Sequence, residues 1–324
     1  MLPKGAVMLK EVVTRFRAYQ LGSAGSSFSY FANDHFTLIE ARLTDLSVKT
    51  LTRELSMCGK ETIDTLHITS WDSDHCNYDE LGTLLSWLLP KHIEYPGYPP
   101  HREGAEKSLR LIHDYLAAQK AKGRSVKGIK VDPPYLASLK TGEEFGYENM
   151  FYHPRVINPD CNNDNSSVKL FRSGSFNVAS LGDVESSAIS SRLRRSRIFH
   201  SETDVITLAH HGADNGFTTS GFLKEVRPSV AICSSNFGNQ YEHPKPEIRE
   251  LLYKHEIPLF TTKTGDVVVK SIGNHTRRYQ VINLIGQSSE VSSFKEFTSR
   301  KSKYLQHGID SIRNRFNPGF KGLK

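Results

Sequence analysis

The sequence predicts an α+β protein in which sheets are covered by helices. Short apolar and β-branched runs recur along the 324 residues, and helical patterns separate several of them. The composition, 37% hydrophobic and 24% charged, is typical of globular proteins and excludes disorder, collagen and coiled coil for the whole chain. The length suits one catalytic-sized domain with an appendage.

Apolar runs bounded by turn residues predict the strands. They occupy residues 36–43, 63–69, 167–174, 176–182, 204–210, 230–235, 258–263 and 266–272. Helical patterns occupy residues 81–89, 105–121 and 246–255, and the last has Pro246 in its first turn. Hairpin-like pairs at both ends of this order, with helices between other strands, indicate layers of sheet and helix.

Two segments differ from this pattern. Residues 94–164 contain the prolines of YPGYPP, a helical pattern and the polar run NPDCNNDNSS, which we interpret as a helical insertion over one edge of the core. Residues 286–324 carry apolar residues at helical spacing among Lys and Arg. These are Phe294, Phe297, Leu305, Ile309, Ile312 and Phe316. We therefore predict a catalytic-sized domain over 1–285 and a basic amphipathic helical tail over 286–324.

The net charge of +7 is concentrated in this tail. Residues 286–324 hold eight Lys and Arg against three Asp and Glu, a local charge of +5. Such a segment favours a polyanionic partner, either nucleic acid or the acidic surface of a partner subunit. Arg300, Lys301 and Lys303 are the phosphate contacts we predict there. A solvated tail that only aids solubility is the alternative.

Cysteine use and hydropathy predict a cytoplasmic protein. Its four cysteines form no Cys-x-x-Cys pair, so we expect reduced thiols. No window approaches the roughly 18 to 20 uncharged apolar residues of a membrane-spanning helix, and the N-terminal residues lack the apolar core of a signal peptide. We expect no membrane contact, and the oligomeric state is left open.

Three predicted strand ends carry residues of the metal-ligand type. Ser-Trp-Asp-Ser-Asp-His follows one strand at 70–75, Leu-Gly-Asp closes another at 181–183, and His-His-Gly closes a third at 210–212. Carboxylate oxygens and imidazole nitrogens suit a divalent cation. The first loop alone is equally typical of a solvated turn or a helix cap. Three such ends in one chain indicate a shared metal site.

These motifs resemble the metallo-β-lactamase fold, specifically the hydrolase domain of the ComEC DNA-uptake protein family. In the order of that family, the chain carries SxDxDH at 70–75, NSSV at 165–168, LGD at 181–183, AHHG at 209–212 and YEHP at 241–244. The segment FRAYQLGSAGSSFSYF is similar to the family's first strand and its Gly-rich turn. The resemblance covers about residues 14–272. It implies an αββα sandwich, two packed mixed sheets flanked by helices.

The resemblance also implies the ligands of a divalent metal ion. They are Asp74, His75, Asp183 and one of His210 and His211. Where the family has His-x-His, this chain has Ser70 and Asp72, so the first metal position loses two imidazoles. We expect one well-formed site for Zn²⁺ or Mn²⁺. A weaker second site would use Asp72 and favour Mn²⁺ or Mg²⁺ because its ligands are mostly oxygens.

The implied chemistry is hydrolysis by a metal-activated water, whose pKa the ion lowers toward about 7. Asp72 and Asp74 are the predicted catalytic carboxylates, and Asp72 would orient the water. His243 would contact a substrate phosphate or protonate the leaving group, or else be a loop histidine bonded to backbone. The residues predicted to bind substrate are Ser70, Asn165, Lys245, Arg194 and Arg195.

The sequence therefore predicts a metal-dependent phosphodiesterase or nuclease that acts on DNA, RNA or a nucleotide. Analogy suggests an effector in bacterial anti-phage defence. The first alternative is a catalytically degenerate protein that binds nucleic acid or a partner subunit. The second is a hydrolase of a small ester, lactone or thioester, as in other proteins of the same fold.

Overall fold

The computed structural model describes residues 13–139, 148–272 and 278–300. The strands are β1 (Arg15–Ala18), β2 (Phe28–Ala32), β3 (His35–Ile39), β4 (Thr65–His67), β5 (His92–Pro96), β6 (Lys127–Val131), β7 (Met150–His153), β8 (Val168–Phe171), β9 (Val178–Ser180), β10 (Val205–Thr207), β11 (Val230–Cys233), β12 (Leu259–Thr261), β13 (Val267–Ser271), β14 (Arg278–Leu284) and β15 (Val291–Thr298).

The helices are α1 (Asp45–Met57), α2 (Tyr78–Leu88), α3 (Glu103–Ala121), α4 (Pro133–Ser138), α5 (Ser187–Arg195), α6 (Arg197–Glu202), α7 (Ser220–Val226) and α8 (Pro246–Lys254). Short 3₁₀ turns occupy Asn163–Asn165 and Ala209–Gly212. Each predicted strand run overlaps an observed strand, and the three predicted helices correspond to α2, α3 and α8.

The strands form two mixed sheets. The larger has the order β15-β14-β13-β1-β2-β3-β4-β5-β6, antiparallel from β15 to β3 and parallel from β3 to β6. The smaller has the order β12-β11-β10-β9-β8-β7, with β9 to β12 parallel and β7 to β9 antiparallel.

Alternating side chains divide the apolar residues into layers. In β8, Leu170 joins the cluster that packs under α5 to α8, whereas its neighbour Phe171 joins the cluster between the sheets. In β10, Ile206 and Val205 divide in the same way. A third cluster packs the larger sheet against α1, α2 and α3. The layers are helix, sheet, sheet and helix, which confirms the predicted α+β sandwich.

The segment 94–164 contains more sheet than predicted. Helix α3 lies in it as expected, but β5 and β6 continue the larger sheet in parallel register, and β7 extends the smaller one. Ile93 and Val131 are fully buried, so these strands share the core instead of lying over its edge. The prediction missed β5 and β6 because each carries few apolar residues between polar ones.

The start of the tail is a strand where the sequence predicts a helix. Residues Val291–Thr298 form β15, which pairs antiparallel with β14, and the Phe297 ring stacks on Tyr279 at 5.4 Å. Pairing with the backbone N–H and C=O groups along the edge of β14 favours a strand here. The helical spacing is weak in this part of the tail, because only Phe294 and Phe297 follow it. Residues 301–324 lie outside the described chain, and a division of the chain at residue 285 stays a prediction.

Arg300 also differs from its predicted role as a phosphate contact. Its backbone N–H donates to Asp204 Oδ1 at 2.7 Å, and its guanidinium donates to the carbonyl oxygens of Thr203, Val226 and Arg227. These bonds attach the end of β15 to the end of α7. Arg300 therefore has structural contacts in the described chain.

The remaining expectations concern cysteines and membranes. All four cysteines are free, as expected, and three of them are buried. Among the described residues, no helix combines the length and the apolar character that crossing a bilayer would require.

Candidate metal centre

The candidate metal centre lies where strands of both sheets end. In the larger sheet, the loop after β4 carries Asp74 and His75. In the smaller sheet β9 and β10 run parallel, so Asp183 and His211, which follow them, reach the same edge. The three motifs that follow predicted strands therefore meet at one place.

Four side chains form the cluster. Asp74, His75, Asp183 and His211 each offer one ligand atom, and these atoms all lie within 4.8 Å of one another. His75 Nε2 lies 2.9 Å from Asp183 Oδ2. His211 Nε2 lies 3.2 Å from Asp74 Oδ2 and 4.0 Å from Asp183 Oδ1. The structure thus brings together four of the predicted ligands, and His211 rather than His210 provides the second imidazole.

His75 is oriented from behind by a buried carboxylate. Its Nδ1 lies 3.1 Å from Glu40 Oε1, and Glu40 also accepts hydrogen bonds from the backbone N–H and hydroxyl of Thr69 at 3.0 and 2.6 Å. A proton on Nδ1 leaves Nε2 with a free lone pair directed at the cluster. This is the carboxylate–histidine arrangement that commonly supports metal ligands.

His211 is oriented by a backbone carbonyl. Its Nδ1 lies 2.9 Å from the oxygen of Ser234, and because a carbonyl only accepts, Nδ1 carries the proton. Its Nε2 is then free to bind a cation. Both His210 and His211 have positive φ, at 46° and 53°, a region that non-glycine residues rarely occupy. Such backbone strain is typical of functional sites.

The donor set fits a divalent cation such as Zn²⁺ or Mn²⁺, because it combines two imidazole nitrogens with two carboxylates. His75 Nε2 is buried and makes no hydrogen bond, although a carboxylate oxygen lies 2.9 Å away. With neutral imidazoles, Glu40, Asp74 and Asp183 place three negative charges in a largely buried space. A bound cation would compensate this charge.

The pKa values reflect the same coupling of charges. Burial disfavours the ionised forms of Asp74 and Asp183, but the neighbouring imidazoles outweigh burial and lower both pKa values. Burial also disfavours protonated His75, but the surrounding carboxylates, Asp183 above all, raise its pKa well above the usual value. A metal ion at the cluster would replace the proton on the ring.

Ser70 and Asp72, which stand where the resembled family has His-x-His, take part in a hydrogen-bond network within the protein. The Ser70 hydroxyl is 2.9 Å from the hydroxyl of Tyr98 and 3.1 Å from Asp72 Oδ2, and Ser70 is fully buried. Tyr98 also accepts from the backbone N–H of Trp71 at 3.0 Å. Asp72 is partly exposed and lies outside the four-residue cluster. The second metal position and the substrate contact of Ser70 stay predictions.

Two other predicted histidines flank the cluster. His210 Nδ1 lies 2.7 Å from Glu185 Oε1, and His210 lies outside the group of four. The His243 ring stacks on His211 at 6.2 Å between centroids. Burial and the nearby imidazoles of His211 and His210 lower the pKa of His243 to about 4, so the ring is neutral at pH 7. Backbone bonds to Asn239 hold its main chain, while both ring nitrogens are unpartnered in the described chain.

The predicted substrate-binding residues are dispersed. Asn165 is buried and bonds to the backbone of Asn158 and Cys161. Lys245 precedes α8, and its N–H donates to the oxygen of Gly212, next to His211. Arg194 and Arg195 lie in the last turn of α5. The substrate roles of these four residues stay predictions.

The sequence reading missed Glu40 and Gly25. Glu40 was read as part of a strand, although it lies just beyond the end of β3 with φ at 72°. Gly25 has φ at 126°, and a Cβ there would lie 2.5 Å from the backbone oxygen of Asp74. A buried acid after a strand and a Gly-rich turn were visible signals, but only the fold shows what each contacts.

No family model matches the chain. It is 24% identical over 248 residues to the ComE operon protein 3 of Bacillus subtilis, covering 75% of this chain and 28% of that protein. It is 26% identical over 140 residues to the recombination protein 2 of Haemophilus influenzae, covering 41% of this chain and 17% of that protein. The chain thus spans less than a third of these relatives. The predicted resemblance to ComEC-type competence proteins is confirmed.

Solved structures align with most of the chain, at TM-scores below 0.5. A metal-dependent hydrolase of the β-lactamase superfamily aligns over 81% of this chain and 99% of its own, with a TM-score of 0.47 and 12% identity. A diphosphatase from the PhnP family aligns over 80% of this chain and 98% of its own, with a TM-score of 0.41 and 13% identity.

Proposed function

We propose that this chain is a metal-dependent hydrolase that cleaves phosphodiester bonds in nucleic acid or nucleotides. The observation that carries the proposal is the cluster of Asp74, His75, Asp183 and His211, whose four ligand atoms lie within 4.8 Å of one another. The cluster lies in loops at strand ends, where catalytic residues are commonly found, and Asp74 and Asp72 are only partly buried.

A divalent ion held by these four side chains would activate a water molecule for attack and stabilise the negative charge of the transition state. Glu40 and the Ser234 carbonyl orient the two imidazoles, so little reorganisation is needed when the ion binds. We propose that Asp72, which is partly exposed in the same loop, accepts a hydrogen bond from the attacking water.

His243 suits a contact with a phosphate oxygen or the leaving group. Its ring is neutral at pH 7, its nitrogens have no partner in the described chain, and it stacks on the ligand His211. A neutral imidazole can donate one hydrogen bond without adding a buried charge. Lys245, two residues further on, adds positive charge near the same place.

Two kinds of support favour a nucleic-acid or nucleotide substrate. One of the two relatives is named for recombination. The chain itself carries a net charge of +7, of which +5 lies in residues 286–324. The proposed role in anti-phage defence rests on analogy alone, since no described residue bears on it.

Metal content and hydrolysis, measured on the same preparations, test the proposal. We expect about one ion per wild-type chain after loading with Mn²⁺ or Zn²⁺, and cleavage of both a chromogenic phosphodiester and single-stranded DNA or RNA. Asp183→Asn should lose the ion and both activities. Asp214→Asn, the same change at an exposed position three residues after His211, is the matched control and should keep them.

Three outcomes would overturn the proposal. A wild-type chain that binds no ion would exclude the metal centre. A loaded chain that binds nucleic acid but cleaves nothing would support the catalytically degenerate alternative. Cleavage of carboxylic esters or lactones without cleavage of any phosphodiester would support the ester-hydrolase alternative.

A further inference from the structure

A ladder of aromatic rings runs from the metal centre to the protein surface. The rings of His75 and His211 are 5.5 Å apart between centroids. His243 stacks on His211 at 6.2 Å with an interplanar angle of 13°, and Tyr241 stacks on His243 at 5.7 Å and 27°. The two outer pairs have offset-stacked geometry, whereas the planes of His75 and His211 are tilted by 50°. The ladder therefore ends on Tyr241.

The outer end of the ladder is open to solvent. Tyr241 is 58% exposed although one ring face lies against His243, and Phe237 in the same loop is 78% exposed. A ring such as Tyr241, stacked on the candidate site through one face and exposed on the other, is suited to stacking on a flat ligand. Neither ring is needed to fill the core, because both lie outside the buried clusters.

The loop that carries these rings is braced from within. We call residues 236–243 the aromatic loop. The Asn239 side chain donates to the backbone oxygens of Asn236 and His243 at 3.0 and 3.1 Å, and accepts from the N–H of His243 at 2.6 Å. The Asn239 carbonyl also accepts from the N–H of Glu242 at 3.0 Å. A platform held in this way binds a flat ligand with little ordering cost.

Charge near the platform suits a ligand that is both aromatic and anionic. Lys245 lies two residues beyond the aromatic loop, and its backbone N–H donates to the carbonyl of Gly212, next to His211. Glu242 is the acidic side chain of the aromatic loop, and it is exposed. An unpaired nucleotide offers a flat base for the rings and a phosphate for Lys245.

From this geometry we infer that Tyr241, with Phe237 exposed in the same loop, is a stacking platform for an unpaired nucleobase next to the scissile phosphate. The inference rests on the proposed phosphodiesterase function and specifies its substrate as single-stranded or locally unpaired nucleic acid. The free face of Tyr241 extends the ladder by one more ring. Stacking depends little on base identity, because every base has an aromatic face.

Binding of matched oligonucleotides tests the platform without requiring catalysis. The ligands are a fluorescently labelled single-stranded oligothymidylate and an abasic strand of equal length and charge, titrated into metal-loaded protein. The length of each ligand is checked after titration so that only uncleaved strands are scored. We expect wild type to bind the base-containing strand more tightly than the abasic strand by about 5-fold to 100-fold, the range of one stacked base.

Tyr241→Ala should remove most of this preference, and Phe237→Ala should reduce it. Tyr241→Phe and Tyr241→Trp should preserve it, which separates loss of the aromatic face from a disturbed loop. Tyr253→Ala is the matched control, because Tyr253 is 84% exposed at the far end of α8, and it should leave the preference unchanged.

The outcomes separate this inference from the proposed function. Equal binding of the two strands by wild type, or a preference that survives Tyr241→Ala, would overturn the platform even if the protein cleaves phosphodiesters. A Tyr241-dependent preference in a protein that cleaves no phosphodiester would uphold the platform and overturn the proposed catalysis. If Tyr241→Ala weakened the binding of duplex and of single strands equally, this would contradict the inference that Tyr241 stacks on an unpaired base.

Discussion

At the scale of single residues, the candidate metal centre depends on atoms that never touch the ion. His75 and His211 each present Nε2 to the cluster because Glu40 and the Ser234 carbonyl occupy their Nδ1 positions. Without these partners, either ring could turn or take the other tautomer. The side-chain carboxylate of Glu40 is the partner that a substitution can remove.

Glu40→Gln should weaken metal binding about 10-fold to 100-fold, because the amide is a poorer acceptor for the His75 ring proton and adds no negative charge. Competition with a chelator measures the affinity. Glu202→Gln is the control, since Glu202 is a buried carboxylate at the opposite end of β10 that pairs with Arg172. Equal loss of affinity in the two variants would show that Glu40 acts only through general stability.

A second prediction concerns His153, which joins β7 to the loop before β8. Its Nε2 donates to the carbonyl of Asp164 at 2.6 Å, and burial lowers its pKa to about 4. The pKa of a histidine in an unfolded chain is about 6.5. Between about pH 4 and pH 6.5, the unfolded chain therefore carries a proton on His153 that the folded chain does not. This contribution to stability is therefore complete above about pH 6.5 and is lost as the pH falls toward 4.

Between pH 7.5 and pH 5, wild type should lose about 2 kcal/mol more unfolding free energy than His153→Gln, in which no group titrates at this position. Urea denaturation at the two pH values measures the difference. The exposed His101→Gln should behave like wild type. Parallel losses in wild type and His153→Gln would show that His153 is not held neutral by the fold.

At the scale of elements, the turn between β1 and β2 supports both halves of the cluster. The N–H of Ser26 donates to the Asp74 carbonyl at 3.0 Å, and the carbonyl of Gly25 accepts from the Ser234 hydroxyl at 3.0 Å. Gly25 has φ at 126° and no room for a Cβ beside Asp74. The turn thus positions loops from opposite sheets.

Gly25→Ala should lower the unfolding free energy by about 2 kcal/mol or more and reduce metal affinity about tenfold, because the added methyl group pushes on the Asp74 backbone. Gly59→Ala is a matched control, with φ at 66° and no atom within 4 Å of the added Cβ. It should cost about 1 kcal/mol and leave the affinity unchanged. Unfolding curves and metal titrations of both variants decide the matter.

The elements also show how far sequence reasoning reached. Strand ends with Asp74, Asp183 and the paired histidines were predictable, because ligand-type side chains followed apolar runs. The choice between His210 and His211 was not, because both have positive φ in a turn where strand alternation no longer applies. The strand β15 was missed because local spacing does not reveal the unpaired edge of β14.

At the scale of the whole molecule, the sandwich and the charge distribution have separate roles. The two sheets bring Asp74 and His75 of one layer against Asp183 and His211 of the other, so the cluster exists only in the folded sandwich. The positive charge lies mostly beyond residue 285. Binding of a polyanion and metal chemistry should therefore be separable.

Lys301→Gln combined with Lys303→Gln should weaken nucleic-acid binding and reduce the slope of log affinity against log salt by up to about one per lysine. Metal content should stay at the wild-type level. Binding titrations at several salt concentrations give the slope. An unchanged slope would assign these lysines to solvation of the tail, and Arg300 is left intact because it has structural hydrogen bonds.

X-ray absorption spectroscopy at the zinc edge, on protein loaded with one equivalent of Zn²⁺, tests the metal centre most directly. We expect two imidazole ligands at about 2.0 to 2.1 Å together with carboxylate oxygens, and loss of this signature in Asp183→Asn. An ion surrounded only by oxygen, or a spectrum that is the same in wild type and Asp183→Asn, would contradict the assignment of Asp74, His75, Asp183 and His211 as a metal centre.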